Sequence, residues 1–333
     1  MGKIMIYKLK ENRVRRSYLG GKRIDKFQGR KESENGYYPE NWIGSVVEAN
    51  NPNYFVKGEG LSIVDEGMLL RDIIEKNPKE ILGVEKMPIL LKMLDSAERL
   101  VIQAHPTIPF AKKYFGSDFG KTECWYFIEC EEHASVYIGF KPHVTKELWK
   151  KLFEEQDVEG LLDCLHKFSV KPGDVVFVSG GVPHAIGGGS LILELQEPTD
   201  LMVCAERITP SGVSLADEKV HGGLGFERML DCFEYNTYTE EEAYSTFFVK
   251  PKNCDGKTFL VDSDVTDKFR MTEMSEGDYV AETFMLAIVV DGQGVIASHD
   301  ENKKIKKGDC LFVSKGESFK LEGTDLRIVV CEA

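Results

Sequence analysis

Two stretches of this chain match one another closely. Lys171-Pro-Gly-Asp-Val-Val-Phe-Val-Ser-Gly-Gly-Val-Pro-His184 returns as Lys306-Lys-Gly-Asp-Cys-Leu-Phe-Val-Ser-Lys-Gly-Glu-Ser-Phe319. Gly173 faces Gly308, Asp174 faces Asp309, Phe177 faces Phe312 and Ser179 faces Ser314. Both copies read as a Gly-Asp turn, an apolar strand and a second glycine-containing turn, which is one hairpin used in two barrels. The copies differ at the last position. His184 in the first is a candidate metal ligand, whereas Phe319 in the second is a core aromatic, so only the first barrel is equipped for chemistry.

The rest of the chain agrees with a β-rich frame. Short runs rich in Val, Ile, Phe and Tyr, bounded by Gly, Asp, Asn or Pro, predict strands at 100–103, 123–128, 135–140, 174–178, 191–195, 269–274 and 284–290. Helical spacing is concentrated after Thr145. There Leu148, Trp149, Leu152 and Phe153 share a face, and Val158, Leu161, Leu162 and Leu165 follow at i, i+3, i+4 and i+7. This predicts a helical insertion over about 144–168, with shorter helices at 69–76 and 109–114. The expected class is all-β with helical insertions. At ~150 residues per domain, 333 residues make about two. We place a metal-bearing domain at 1–239 and a second barrel without the metal at 240–333.

Composition narrows the function. Lys and Arg total 42 against 55 Asp and Glu, a net charge of -13, which disfavours a nucleic-acid backbone as partner. No run reaches the ~20 apolar residues that span a bilayer; 284–290 stops at Asp291. Eight cysteines are scattered without a CxxC pair, and no secretory signal core opens the chain, so a reducing cytoplasm is expected. A small-molecule substrate is the remaining expectation.

One constellation carries chemistry. Gln103 and His105 stand two residues apart at the end of a predicted strand, hence on one face. Glu123 shares a strand face with Trp125 and Phe127, where a carboxylate is costly unless it is paired or coordinated. His184 supplies a fourth donor from the repeated hairpin. Two nitrogens and two oxygens with no thiolate suit Zn, and Mn, Fe, Co and Ni remain open. Lys121, two residues before Glu123 on the same face, is either a turn lysine in water or a cation that meets a phosphate or sugar oxygen beside the metal. Glu194 alternates with apolar residues in 191–195, which fits a solvated face or an inward acid. His133, His143, His166, His221 and His299 have no comparable partners and are read as structural.

At these residues the sequence resembles type I mannose-6-phosphate isomerase, a zinc-dependent family of the cupin superfamily. The resemblance rests on Ile102-Gln-Ala-His-Pro106, Gly120-Lys-Thr-Glu-Cys-Trp-Tyr126, Pro172-Gly-Asp174 with Val182-Pro-His-Ala185, and Leu193-Glu-Leu-Gln-Glu-Pro-Thr-Asp200. It runs from Tyr18-Leu-Gly-Gly21 through Glu40-Asn-Trp42 to Asp200. It implies two cupin barrels (double-stranded β-helix jelly rolls) and one Zn2+ per chain on Gln103, His105, Glu123 and His184. It also implies an active-site lysine at Lys121 and acidic strand residues at Glu194 and Asp200.

Two departures stand out. Val101 occupies the place where the family often has serine, and Cys204 the place of its arginine four residues beyond Asp200. A thiol supplies neither fixed charge nor bidentate donors. Arg207 is the candidate substitute, although three residues along a strand it points to the opposite face unless the chain bends or bulges. The implied activity is interconversion of mannose 6-phosphate and fructose 6-phosphate through a cis-enediol, with Glu194, Asp200 and His184 as candidate proton shuttles and no redox cofactor. The competing readings are a non-catalytic sugar-phosphate binder and an isomerase of another phosphorylated aldose. The oligomeric state is not readable from the sequence.

Overall fold

The structure, a computed structural model, describes residues 5–51, 54–299 and 301–333. Among them the strands form three sheets. A seven-stranded antiparallel sheet runs in the order Phe248–Val249, Val175–Val178, Glu123–Cys130, Ser190–Gln196, Leu90–Ser96, Glu40–Ile43, Arg13–Val14. A five-stranded sheet runs Val203–Cys204, Gln103–Ala104, His184–Ile186, Ser135–Phe140, Leu165–Ser169. The third has nine strands built around Met285–Ser298 and Ser318–Glu332, and it recruits Ile6–Leu9 from the start of the chain.

The first two sheets close face to face over one apolar core. Leu94, Trp125, Phe127, Val176, Val178 and Ile192 meet Val136, Ile138 and Ile186. The seven-stranded sheet is buried on its other side too. There Leu91, Met93, Leu191, Leu193 and Leu195 pack with Met271, Leu286, Ile288, Phe312 and Val329 of the nine-stranded sheet. Ser190–Gln196 is therefore buried at every position. Alternation sends its leucines to the second barrel and Ile192, Glu194 and Gln196 into the first. Fully burying one such leucine contributes about 1.5–3 kcal/mol, so the contact between barrels is a core rather than a hinge.

The repeated hairpin is the same object twice. Gly173 and Gly308 have φ of 94° and 90°, a left-handed conformation that favours glycine. Asp174 and Asp309 each accept the amide of the lysine three residues earlier, at 3.0 and 2.9 Å. The Gly173 and Gly308 amides both donate at 2.9 Å to a neighbouring strand, at Phe127 and Val289.

Three expectations are corrected. Residues 100–102 form no ladder; only Gln103–Ala104 is a strand, because the Glu206 carboxylate accepts the Ile102 amide at 2.6 Å. The insertion holds two capped helices, Lys146–Glu155 after Thr145 and Val158–Asp163 after Asp157. It ends at Cys164: Leu165–Ser169 alternates in burial and pairs with Ser135–Phe140, an edge that outweighs the helical spacing of Leu165. Near residue 240, helix Glu240–Phe247 puts Ala243 and Phe247 into the first barrel's core, and Phe248–Val249 pairs with Val175–Val178. Sheet membership therefore changes after Val249. The predicted shorter helices are Leu70–Lys76, continued by Pro78–Ile81, and Ile108–Tyr114 capped by Thr107.

Candidate metal centre

Backbone register brings the four sequence-predicted donors together. His184 lies directly opposite Gln103, and Glu123 begins the strand whose partner is Val178, just before the hairpin that carries His184. The Gly181 amide donates to the His105 carbonyl at 2.6 Å, which ties the end of the Gln103 strand to that hairpin. Nε2 of His105 lies 3.3 Å from Glu123 Oε2, and Nε2 of His184 lies 3.4 Å from Glu123 Oε1. With metal–ligand bonds of about 2.0–2.2 Å, a tetrahedral site has ligand–ligand edges of roughly 3.4 Å.

The imidazoles are in the tautomer that ligates. Each Nδ1 faces a backbone carbonyl at 2.9 Å, that of Leu201 for His105 and that of Val182 for His184. A carbonyl only accepts, so Nδ1 carries the proton and Nε2 keeps its lone pair inward. Burial, then the Lys121 charge, pushes His105 down to about 3; burial lowers His184 as well. Burial alone raises the proton affinity of Glu123, but Lys121, His105 and His184 hold it well below the usual carboxylate range. Its Oε1 accepts the Trp125 indole at 3.1 Å, whereas the buried Oε2 has no hydrogen bond. The Gln103 carboxamide nitrogen stands 3.3 Å from His184 Nε2. An amide flip, which ordinary structures leave to the network to decide, turns its oxygen there. These residues fit a divalent ion.

A cavity opens beside this centre, and a file of alternating charges lines it. Lys121 Nζ is 3.0 Å from His105 Nε2, 3.2 Å from Glu123 and 3.5 Å from Glu194. Lys92 joins Glu194 at 3.2 Å and Glu40 at 3.9 Å. Arg16 joins Glu40 at 3.0 Å and holds both oxygens of Asp200 at 2.9 and 3.0 Å. Tyr18 and Trp42 donate to Glu40 at 2.7 Å each. Burial raises the proton affinity of Glu194; Lys92 and Lys121 oppose this, and Glu123 and Glu40 reinforce it. Asp200, against its burial, is held well below the carboxylate range by Arg16.

The predicted residues therefore divide. Gln103, Lys121, Glu123, Glu194 and Asp200 line the cavity, with His105 and His184 meeting behind Glu123. Arg207 does not reach it. Its guanidinium stacks on Phe226 and Phe153, 4.4 and 5.2 Å from the ring centres, and its amide donates to Gln156 Oε1 at 2.8 Å. The chain leaves the sheet after Cys204 and the side chain goes to Phe153 of the helical insertion and Phe226 of helix Phe226–Met229, so the substitute cation is not Arg207. Cys204 is opposite Gln103 and fully buried, its thiol pushed up to about 12 by burial, and it does not line the cavity. Arg16 and Lys92 escaped the sequence reading. The signal for Lys92 was a single cation within the apolar run Leu90-Leu-Lys-Met-Leu94; Arg16 had none.

Residues 269–332 match the profile of the mannose-6-phosphate isomerase cupin domain. A mannose-6-phosphate isomerase of Streptococcus mutans is 29% identical over 283 residues, 81% of this chain and 84% of that one. Residues 269–332 thus resemble that family's cupin domain, and the chain is similar to a mannose-6-phosphate isomerase over 81% of its length. Among solved structures, the mannose 6-phosphate isomerase from Bacillus subtilis superposes with a TM-score of 0.75 at 23% identity, over 98% of this chain and 99% of that one. A mannose 6-phosphate isomerase bound with zinc and yttrium gives 0.72 at 15% identity, over 98% and 99%. The likeness extends through both barrels, so the all-β cupin architecture with helical insertions holds for the whole chain.

Proposed function

We propose that this protein is a zinc-dependent aldose–ketose isomerase that interconverts mannose 6-phosphate and fructose 6-phosphate through a cis-enediol. One observation carries the reading: a donor set of two imidazoles, a carboxylate and a carboxamide adjoins, through Lys121, a buried carboxyl of raised proton affinity in the same cavity. Gln103, His105, Glu123 and His184 would hold one ion per chain. Zinc there supplies a Lewis acid for the oxygens of the opened sugar. Similarity to a mannose-6-phosphate isomerase supports the substrate, and the zinc bound by a mannose 6-phosphate isomerase of the same fold supports the metal.

The remaining steps belong to the chain's own residues. Glu194 takes the proton from C2 of the open aldose and returns it to C1, while a hydroxyl proton passes from O2 to O1. Carbon and electron counts balance, so no oxidant enters. A carboxyl whose proton affinity is raised by burial suits this shuttle. Asp200, locked onto Arg16, does not. The Lys121 ammonium donates where negative charge develops on the enediolate oxygens. We place the protein in the cytoplasm with a small sugar phosphate as its partner; eight unpaired thiols support a reducing compartment. Among the described residues no helix is long and apolar enough to cross a membrane.

The test is a coupled assay of fructose 6-phosphate formed from mannose 6-phosphate, before and after chelation and zinc return. Turnover that falls with chelation and recovers with zinc is expected. A folded, zinc-loaded protein without turnover sinks the reading in favour of a sugar-phosphate binder.

A further inference from the structure

Charge accounting in the cavity leaves a remainder. Five basic side chains line it, Arg15, Arg16, Lys92, Lys121 and Lys219, against four carboxylates, Glu40, Glu123, Glu194 and Asp200. Arg16, Lys92 and Lys121 each stand within ion-pair distance of those carboxylates. Among the described residues, Arg15 and Lys219 make no ion pair. Arg15 lies flat on Tyr54, 3.9 Å from its ring centre, with Tyr37 at 5.3 Å, and its buried Nε has no hydrogen-bond partner. Lys219, in helix Asp217–His221, uses one of its three donors on the Asn50 carbonyl at 3.0 Å.

The residues that bear these two cations are both tied to the Asn50–Asn51 segment, Arg15 through its main-chain carbonyl and Lys219 through its ammonium. Asn51 Nδ2 donates to the Arg15 carbonyl at 2.8 Å, and the Asn50 amide donates to Asp200 at 2.9 Å. Both thus gather around Asn50 and Asn51, at the end of the charge file that starts at Glu123 and passes Lys121, Glu194, Lys92, Glu40, Arg16 and Asp200. The metal centre is at one end and the free positive charge at the other. Burial lowers the proton affinity of Lys219 while Asp200 raises it, so a further anion nearby favours its charged form.

We propose that Arg15 and Lys219 form the phosphate anchor of this cavity, holding the 6-phosphate of an extended sugar whose C1–C2 end lies at Lys121 and Glu194. The assignment rests on the sugar-phosphate reading above and adds the residues that read the phosphate. A phosphate carries about -1.5 to -2 charges at neutral pH and needs positive charge that carboxylates have not already cancelled. Five cations against four carboxylates leave one positive charge over; Arg15 and Lys219 are the two that stand in no ion pair, although Asp200 still acts on Lys219, and the tyrosine rings beside Arg15 order its donors before the ligand arrives. The cation absent at Cys204 is thereby supplied from other parts of the chain, and Arg207 is not required.

The test compares Arg15→Met, Lys219→Met and the double variant with the parent, all zinc-loaded. It reads KM and kcat on mannose 6-phosphate, calorimetric binding of inorganic phosphate, and zinc content. Each single change is expected to raise KM about tenfold to a hundredfold, with kcat changed far less. The double variant is expected to lose saturable phosphate binding while retaining zinc. Arg15→Lys and Lys219→Arg, which keep the charge, should recover most of the affinity, as no misfolded variant would. A double variant that binds phosphate like the parent overturns the anchor, as does a parent that binds none. A parent that binds phosphate through these residues yet turns over no sugar phosphate keeps the anchor and removes the isomerase.

Discussion

The two barrels place different side chains on one backbone frame. Glu123 is paired with Val178 and Met285 with Val313; His184 faces Gln103 and Phe319 faces Tyr279. The Gly181 amide closes on the His105 carbonyl, and the Gly316 amide on that of Ala281. Gln103, His105, Glu123 and His184 thus correspond to Tyr279, Ala281, Met285 and Phe319. In the second barrel Met285, Ala281 and Phe319 belong to one apolar cluster, and Tyr279 packs on it with its ring 5.8 Å from Phe319. In the first, the same positions hold polar atoms in the interior, one with no hydrogen bond. That atom, Glu123 Oε2, stays 3.2 Å from the Lys121 ammonium, and burying such polar groups costs desolvation that apolar ones do not. One barrel therefore gives up stability for a site, and the other adds stability in the same places.

Exchanging residues between the frames gives the largest expected effect. Glu123→Met with His184→Phe should reduce bound metal from about one ion per chain to none, seen by elemental analysis, and abolish turnover. A single Phe319→His should bind no metal, because Ala281 and Met285 offer no donors. Retention of zinc by the first variant would break the correspondence.

Next in size is Glu194→Gln. Loss of a proton shuttle costs about 10²–10⁴-fold in rate, so kcat should fall by that order while zinc content stays unchanged. A fall of less than tenfold would transfer the shuttle to another group.

Acid should then tell the barrels apart. Burial raises the proton affinity of Glu40, but Arg16, Lys92 and the Trp42 indole bring it down to about 2 from an ordinary 4.5. Below about 4.5 the unfolded chain binds this proton and the folded chain does not, so the contribution is complete above that pH and is lost as pH falls to about 2. It amounts to about 3 kcal/mol. Amide exchange at pH 3 should quicken in Leu90–Ser96 and Glu123–Cys130 before Cys310–Val313. Equal acceleration in both barrels would show that the difference in charge does not control acid stability.

The smallest effect concerns Arg207. With its guanidinium on Phe153 and Phe226, Arg207→Ala should leave kcat/KM unchanged and lower stability by about 1 kcal/mol, read from the urea midpoint. A large loss of turnover would return Arg207 to the active site.

How far these features were legible depends on the range over which each is specified. The hairpins, the helix caps at Thr145 and Asp157 and the pairing of Gln103 with His105 on one face are local, and backbone sterics with side-chain periodicity are enough to read them. Helix Glu240–Phe247 is marked locally as well, since Thr239 and Glu242 form a capping box. The strand at 165–169 was hidden because one short segment satisfied two periods, and only its partner strand decides between them.

The amino-acid order alone specifies a twofold β architecture, a four-donor metal set in the first copy and the apolar replacement of at least His184 in the second. These follow from residue type and spacing, which act within a few positions. Whether Glu194 faces inward, where Arg207 goes, and that Arg16, Lys92, Arg15 and Lys219 enter one cavity are settled by packing. Burial between two sheets forces leucines to one side of Ser190–Gln196 and the acid to the other. Charges far apart in the chain acquire their partners only when the low-dielectric interior brings them within 4 Å, and the two cavity cations without an ion pair among the described residues become apparent only then.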